Sequence, residues 1–189
     1  MSALRKHHFF SEAEYWEYEE VSPLKHEYFR GELFAMAGAS GKHNDIVGNA
    51  HASLHRQLRG KPCRPRVADQ RIKVERNSLQ TYPDVVVVCP PFVRDPNNTI
   101  TLLDATVIIE VLSPSTAQYD KTTKFDLLRE LPSLRHYLTV EQDKIEVVHR
   151  FWSESSWQEA THTAPDDVVF LRAIECELRV GDLYEDVEI

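Results

Sequence analysis

The chain of 189 residues holds three cysteines, Cys63, Cys89 and Cys176, far apart and with no CxxC pair. That pattern excludes a disulfide framework or a zinc ribbon and is expected of reduced, small apolar residues in a cytosolic chain. No apolar stretch approaches the roughly 20 residues of a membrane span, and MSALRKHHFF opens without a long apolar segment. A cytoplasmic protein without a membrane partner is expected. Basic surplus is missing too: 22 Lys and Arg stand against 30 Asp and Glu, a formal net charge of −8. This argues against a general nucleic-acid coat protein, because phosphate binding uses a positive surface. Internal repeats, a phosphate-binding glycine loop, a GxSxG elbow, a kinase signature and low-complexity tracts are also absent. What remains, 42% hydrophobic and 28% charged, is the composition of one soluble globular domain spanning residues 1–189.

Chemistry concentrates between residues 82 and 124, where YPDVVVV, TVIIEVLSPST and YDKTTKF follow one another. Each apolar run carries one acid where a buried strand should have none: Asp84 opens Val85 to Val88, and Glu110 sits inside Val107 to Leu112. Side chains two apart share a strand face, so Asp84 lies beside Val86 and Val88, and Glu110 beside Ile108 and Leu112. Buried carboxylates survive when paired, neutralised or bound to a metal. If these strands are neighbours the acids converge, and a divalent cation between them relieves their repulsion. Ser113, Pro114, Ser115 and Thr116 then announce a helix. On it Lys124 stands on or beside the inward stripe of Phe125 and Leu131, within reach of the acids; the simpler alternative is an Asp120–Lys124 pair on a solvated face.

These residues resemble a known family. PDVVVV, IIEVLSPST, the D-x-x-x-K of Asp120 to Lys124, LPSLRHYLTVEQ, HEYFRGELFAMAGAS with the following His43, and ECELRVGDLYEDV are similar to the Uma-two family of restriction-endonuclease-like proteins. That family lies within the PD-(D/E)xK nuclease superfamily, and the resemblance covers 24–187. It implies an α/β fold with an αβββαβ core, a central mixed sheet flanked by helices, an N-terminal helix and hairpin, and C-terminal strands. It also implies magnesium or manganese held by Asp84, Glu110 and the carbonyl of Val111, with Lys124 polarising the attacking water. The superfamily lysine usually stands two residues after the Glu, where this chain has Leu112, so its role either migrates to Lys124 or is absent.

Elsewhere, Ser11 and Glu14 have capping-box spacing before a short acidic helix whose Tyr15, Trp16 and Tyr18 are expected to pack. Arg30-Gly31 divides a hairpin. Its Glu27 is a further site candidate by resemblance, against pairing with Lys25 or Arg30. Residues 43–58 form a helical pattern with Ile46, Val47, Ala50, Leu54 and Leu58 on one side and Gly60 as its stop. His43 at its start is a candidate for a phosphate or second-layer contact, or an exposed cap residue. His51 and His55 have zinc-ligand spacing, without a marked third ligand. RVADQRIKVE alternates as one strand with one solvated face, whose basic residues are the floor of any DNA groove or, more simply, an outward polar face, and Gln70 within it is a further candidate. LRHYLTV reads as a strand, KIEVVHRFW and WQEATHTA as a hairpin, and Gly181-Asp182 as a turn.

The leading expectation is a magnesium-dependent endonuclease acting on DNA, as a homodimer if both strands are cut. The alternative is a nuclease-fold binding or regulatory module without turnover; zinc hydrolysis through His51 and His55 is a third.

Overall fold

The computed structural model describes residues 9–36, 38–67 and 69–189. MSALRKHH, read above for its lack of an apolar segment, and Ala68 lie outside the described residues. Helix α1 (Glu12–Val21) starts on Ser11, whose hydroxyl accepts from the Glu14 N–H while the Glu14 carboxylate reaches back to the Ser11 N–H, the reciprocal pairing its spacing foretold. The hairpin follows as β1 (His26–Phe29) and β2 (Glu32–Ala35). Arg30 and Gly31 take φ of 50° and 91°, as a tight hairpin turn requires. Helix α2 (Gly41–Gln57) is capped by the Ser40 hydroxyl, and its Ile46, Ala50 and Leu54 are fully buried.

Strands β3 (Arg64–Val67), β4 (Ile72–Val74), β5 (Leu79–Thr81), β6 (Val85–Val88) and β7 (Val107–Leu112) come next. After a helical segment over 117–128 come β8 (His136–Glu141), β9 (Val147–Ser153), β10 (Ser156–His162), β11 (Val168–Leu171) and β12 (Cys176–Arg179). Six strands form the central sheet in the order β10-β9-β8-β7-β6-β3, and β2-β1-β5-β4 form a smaller one. The central sheet is mixed: β7 and β8 run parallel, their neighbours antiparallel. In chain order α2, β3, β6, β7, the 117–128 segment and β8 give the expected αβββαβ succession, with β4 and β5 diverted into the second sheet. Every residue of β6 and β7 is buried, because each sheet face is covered. Val85, Val87, Val107 and Ile109 pack with α2. Val86, Val88 and Ile108 pack with Ile72, Leu79, Phe125 and Leu128.

Several expectations are corrected. RVADQRIKVE is two strands in two sheets, divided near Asp69, which takes φ of 58°. Its expected basic face turns inward: Arg71 is buried against Thr101, and Lys73 lies 2.8 Å from both Glu12 and Asp95. Neither floors a groove. Cys63 and Cys89, expected as separate thiols, form a disulfide. Arg64 faces Val88 across β3 and β6, so the residues just beyond them meet; Cys176 is a buried free thiol. Gly181 and Asp182 belong to a short helix, Val180–Leu183. Among the described residues no helix is long and apolar enough to cross a membrane.

Candidate active site

Strands β6 and β7 pair with Val85 opposite Ile109 and Val86 opposite Ile108. One further step of this register sets Asp84 against Glu110, on the sheet face that looks toward the smaller sheet and the 117–128 segment. Asp84 is tied down through one oxygen: its Oδ2 accepts from the Val111 N–H at 2.7 Å and lies 3.1 Å from His43 Nε2, at the start of α2.

Lys124 arrives from the segment after β7. This is α-helical at Ala117–Tyr119, widens to a π turn at Asp120–Lys124, and returns to α at Phe125–Leu128. A π turn shifts side chains off the usual helical stripe, and here Asp120 and Lys124 are both buried. The ammonium lies 2.9 Å from Glu110 Oε1, 3.0 Å from Glu27 Oε1 and 3.5 Å from Asp120 Oδ1. The approach to Glu110 is a charge contact, since that oxygen has no aligned hydrogen bond. The Asp120–Lys124 pair therefore exists, but inside the protein and not on a solvated face. Glu27 comes from β1 of the smaller sheet, where the Thr81 hydroxyl of β5 donates to it. It pairs with neither Lys25 nor Arg30. The cluster thus bridges the seam between the two sheets.

Electrostatics follow from this crowding. Burial pushes the Glu110 carboxyl well above its ordinary pKa, and the charges of Asp84 and Asp120 push the same way against Lys124. Burial likewise raises Asp120. Glu27 shares the burial, yet Lys124, Thr81 and Tyr119 outweigh it and hold this acid below the usual range. Burial would depress the lysine, but Glu110, Glu27 and Asp120 carry it well above its ordinary value. His43 is also raised, because its bond to Asp84 overcomes burial.

Four carboxylates, those of Glu27, Asp84, Glu110 and Asp120, thus face one ammonium and one imidazole. The excess negative charge and hard oxygen donors fit a magnesium or manganese ion, and Glu110 Oε1, buried without an aligned hydrogen bond, is a donor such an ion uses. Among the described residues no three His, Cys, Asp or Glu converge as a ready-made metal cage. A magnesium ion held here by two carboxylates would fill its other positions with a carbonyl and water.

Of the residues singled out from sequence, Asp84, Glu110, Val111, Lys124, Glu27 and His43 come together. Gln70 does not: its amide donates to the Arg71 and Ile100 carbonyls, and its oxygen accepts from Arg66. His51 and His55 lie together on α2, ring centroids 5.8 Å apart, with no third ligand among the described residues. Sequence reasoning missed Asp120 as a cluster member and Thr81 as its support. The D-x-x-x-K spacing was the available signal for the first; only the pairing of β1 with β5 reveals the second.

Residues 12–181 match the profile of the Uma2 family, described as "Putative restriction endonuclease". The uncharacterized protein slr1290 of Synechocystis sp. is 33% identical over 175 residues, 92% of this chain and 90% of that protein. A second from the same organism, sll1609, is 33% identical over 137 residues, 72% of this chain and 77% of its own. A crystal structure of "a putative nuclease belonging to DUF820" from Anabaena variabilis superposes with a TM-score of 0.73 at 20% identity, covering 93% of this chain and 98% of that one. The fold is shared.

Proposed function

Since the chain belongs to the Uma2 family, whose description reads "Putative restriction endonuclease", we propose that it is a divalent-metal-dependent endonuclease hydrolysing DNA phosphodiester bonds. The observation that carries this reading is the meeting of Asp84 and Glu110, from neighbouring strands, beside a buried ammonium 2.9 Å from Glu110. Asp84, Glu110 and the Val111 carbonyl would hold magnesium or manganese. When bound, such an ion supplies Lewis acidity to the phosphoryl oxygen and makes a water acidic enough to attack.

The chain's own residues supply the rest. Val111 N–H and His43 fix one oxygen of Asp84, so that its carboxylate has a single orientation. Lys124, its charge secured by Glu27 and Asp120, orients the attacking water and stabilises charge growing on the phosphate oxygens. Burial on both sheet faces restricts bulk water, which strengthens each of these interactions. Cutting both strands of a duplex with one site per chain takes two copies, so a homodimer is part of the reading.

A nuclease-fold binding module without turnover is favoured by one observation: Lys124 itself already neutralises Glu110. Cleavage of mixed DNA substrates in magnesium and manganese separates the two. The nuclease reading expects wild-type cleavage in metal, none for Asp84→Ala, and a rate lowered about 100-fold or more for Lys124→Ala. Cleavage by Asp84→Ala at the wild-type rate would sink it.

A further inference from the structure

The acid cluster has two flanks of opposite charge. Where α2 begins and β7 and β8 end, a cavity of about 580 Å³ is lined by Asp45, Asp143, Asp186 and Glu188 with a single lysine, Lys42. That lysine is already committed to Asp143 at 3.2 Å. A phosphate backbone is repelled there.

The other flank is β3, one of the two edge strands of the central sheet. Arg66 stands opposite Val86, hence on the sheet face that carries Asp84 and Glu110. It is two residues from Asp84 in register, roughly 7 Å along the strand, about two nucleotides of duplex rise. Its guanidinium lies 5.8 Å from the centre of the Phe92 ring and donates to the neutral Gln70. Arg94 donates to the Thr99 carbonyl at 2.7 Å, and Arg64 to that of Cys63 at 2.9 Å. Their hydrogen-bond acceptors are neutral, and the Asp104 carboxylate, which accepts from the Val93 N–H, acts on Arg66 and Arg94 only at longer range. The arginine ion pairs among the described residues are those of Arg129, Arg150 and Arg179, so Arg64, Arg66 and Arg94 have no carboxylate at ion-pair distance. Beside them Phe92 is 38% exposed and Ile100 62%. Pro65, in the middle of β3, has no N–H to offer, which blunts this edge against pairing with a strand from a second copy.

We propose that this edge, Arg64, Arg66 and Arg94 around Phe92, receives the DNA backbone. A strand reaches the acids over β3 and not through the acidic cavity. Guanidinium groups match phosphate oxygens in geometry and charge, and an exposed aromatic face accepts a base. The inference rests on the nuclease reading above, and it explains how a chain of net charge −8 can engage a polyanion: the positive charge is local.

Fluorescence anisotropy with labelled duplex and single-stranded oligonucleotides tests it, using Asp84→Asn protein in metal to prevent turnover. Arg64→Ala/Arg94→Ala changes two exposed side chains. It is expected to weaken binding about tenfold and to lower the slope of log K against log salt by about 1.8 on duplex and about 1.4 on single strands, the values for two lost phosphate contacts. Arg64→Lys/Arg94→Lys should restore most of the slope, and Lys42→Ala on the acidic flank should change neither quantity. Unchanged affinity and slope in the alanine pair, or an equal loss in Lys42→Ala, overturns the assignment of this edge and leaves the nuclease reading standing. Failure of both wild-type and Asp84→Asn protein to bind any DNA overturns that reading and the surface together.

Discussion

Lys124→Met removes one ammonium while keeping most of the side chain's length and apolar stem. In the native protein Lys124 is 4% exposed and its ammonium lies within 3.5 Å of three buried carboxylates. Removing one partner of a buried ion pair typically costs about 3–5 kcal/mol, because the remaining charge is left uncompensated. Protons then replace the lysine. Glu110 and Asp120, already raised by burial, rise further, and Glu27 loses a main cause of its depression. Between the unfolded carboxylate value of about 4 and these raised native values the folded variant binds more protons than the unfolded one, so its stability falls as pH rises. The wild-type lysine has the same sign in a much higher pH window. Its folded pKa is raised, so its contribution is complete below the unfolded value of about 10.4 and is lost only as pH climbs through the folded one. Urea unfolding at pH 5.5 and pH 8 is therefore expected to show a penalty of about 3–5 kcal/mol at the higher pH, smaller at the lower. Adding Glu110→Gln should return part of the loss at pH 8. A penalty under about 1 kcal/mol, typical of an exposed pair, or one unchanged with pH, would refute the caged-lysine reasoning.

Other consequences are simpler. His136 and His149 contact each other at 2.9 Å and are held neutral, mainly by burial, with pKa values lowered to about 4 and about 3. The unfolded chain takes up these protons first, from about pH 6.5 downward, so stability is lost as pH falls toward the folded values. His149→Gln should flatten the stability–pH curve between pH 6 and 4.5 by up to about 1.4 kcal/mol per pH unit; an unchanged slope contradicts this. The Thr139 hydroxyl is buried without a partner beside Glu110 in the β7–β8 register. Thr139→Val should leave thermal stability equal or higher, and a loss above about 1 kcal/mol would show that the hydroxyl has a hydrogen-bond partner. Ser11→Ala removes the hydroxyl that accepts from the Glu14 N–H, leaving the Ser11 N–H bond to the Glu14 carboxylate, and should cost about 1 kcal/mol in denaturant unfolding.

The central acids were legible because each violates its surroundings: a lone carboxylate in an otherwise apolar strand announces a site, and two-residue alternation says which face it takes. Lys124 followed from helical spacing, although the π turn that brings Asp120 in with it leaves no mark in an ordinary helical pattern. What stayed hidden depends on which strand lies beside which. RVADQRIKVE alternates as one strand does, and nothing local says that its halves enter different sheets and bury Arg71. Cys63 and Cys89 look unrelated at a separation of 26 positions until β3 pairs with β6. Glu27 could be nominated by resemblance, but its hold on Lys124 joins two sheets and exists only in three dimensions.

Calorimetric titration of the purified protein with manganese tests the central claim most directly. One ion per chain in wild-type protein, none in Asp84→Asn or Glu110→Gln, and one retained in Lys124→Met is the predicted result. Silence in the wild type, or the same heat in the Asp84→Asn protein, would contradict it.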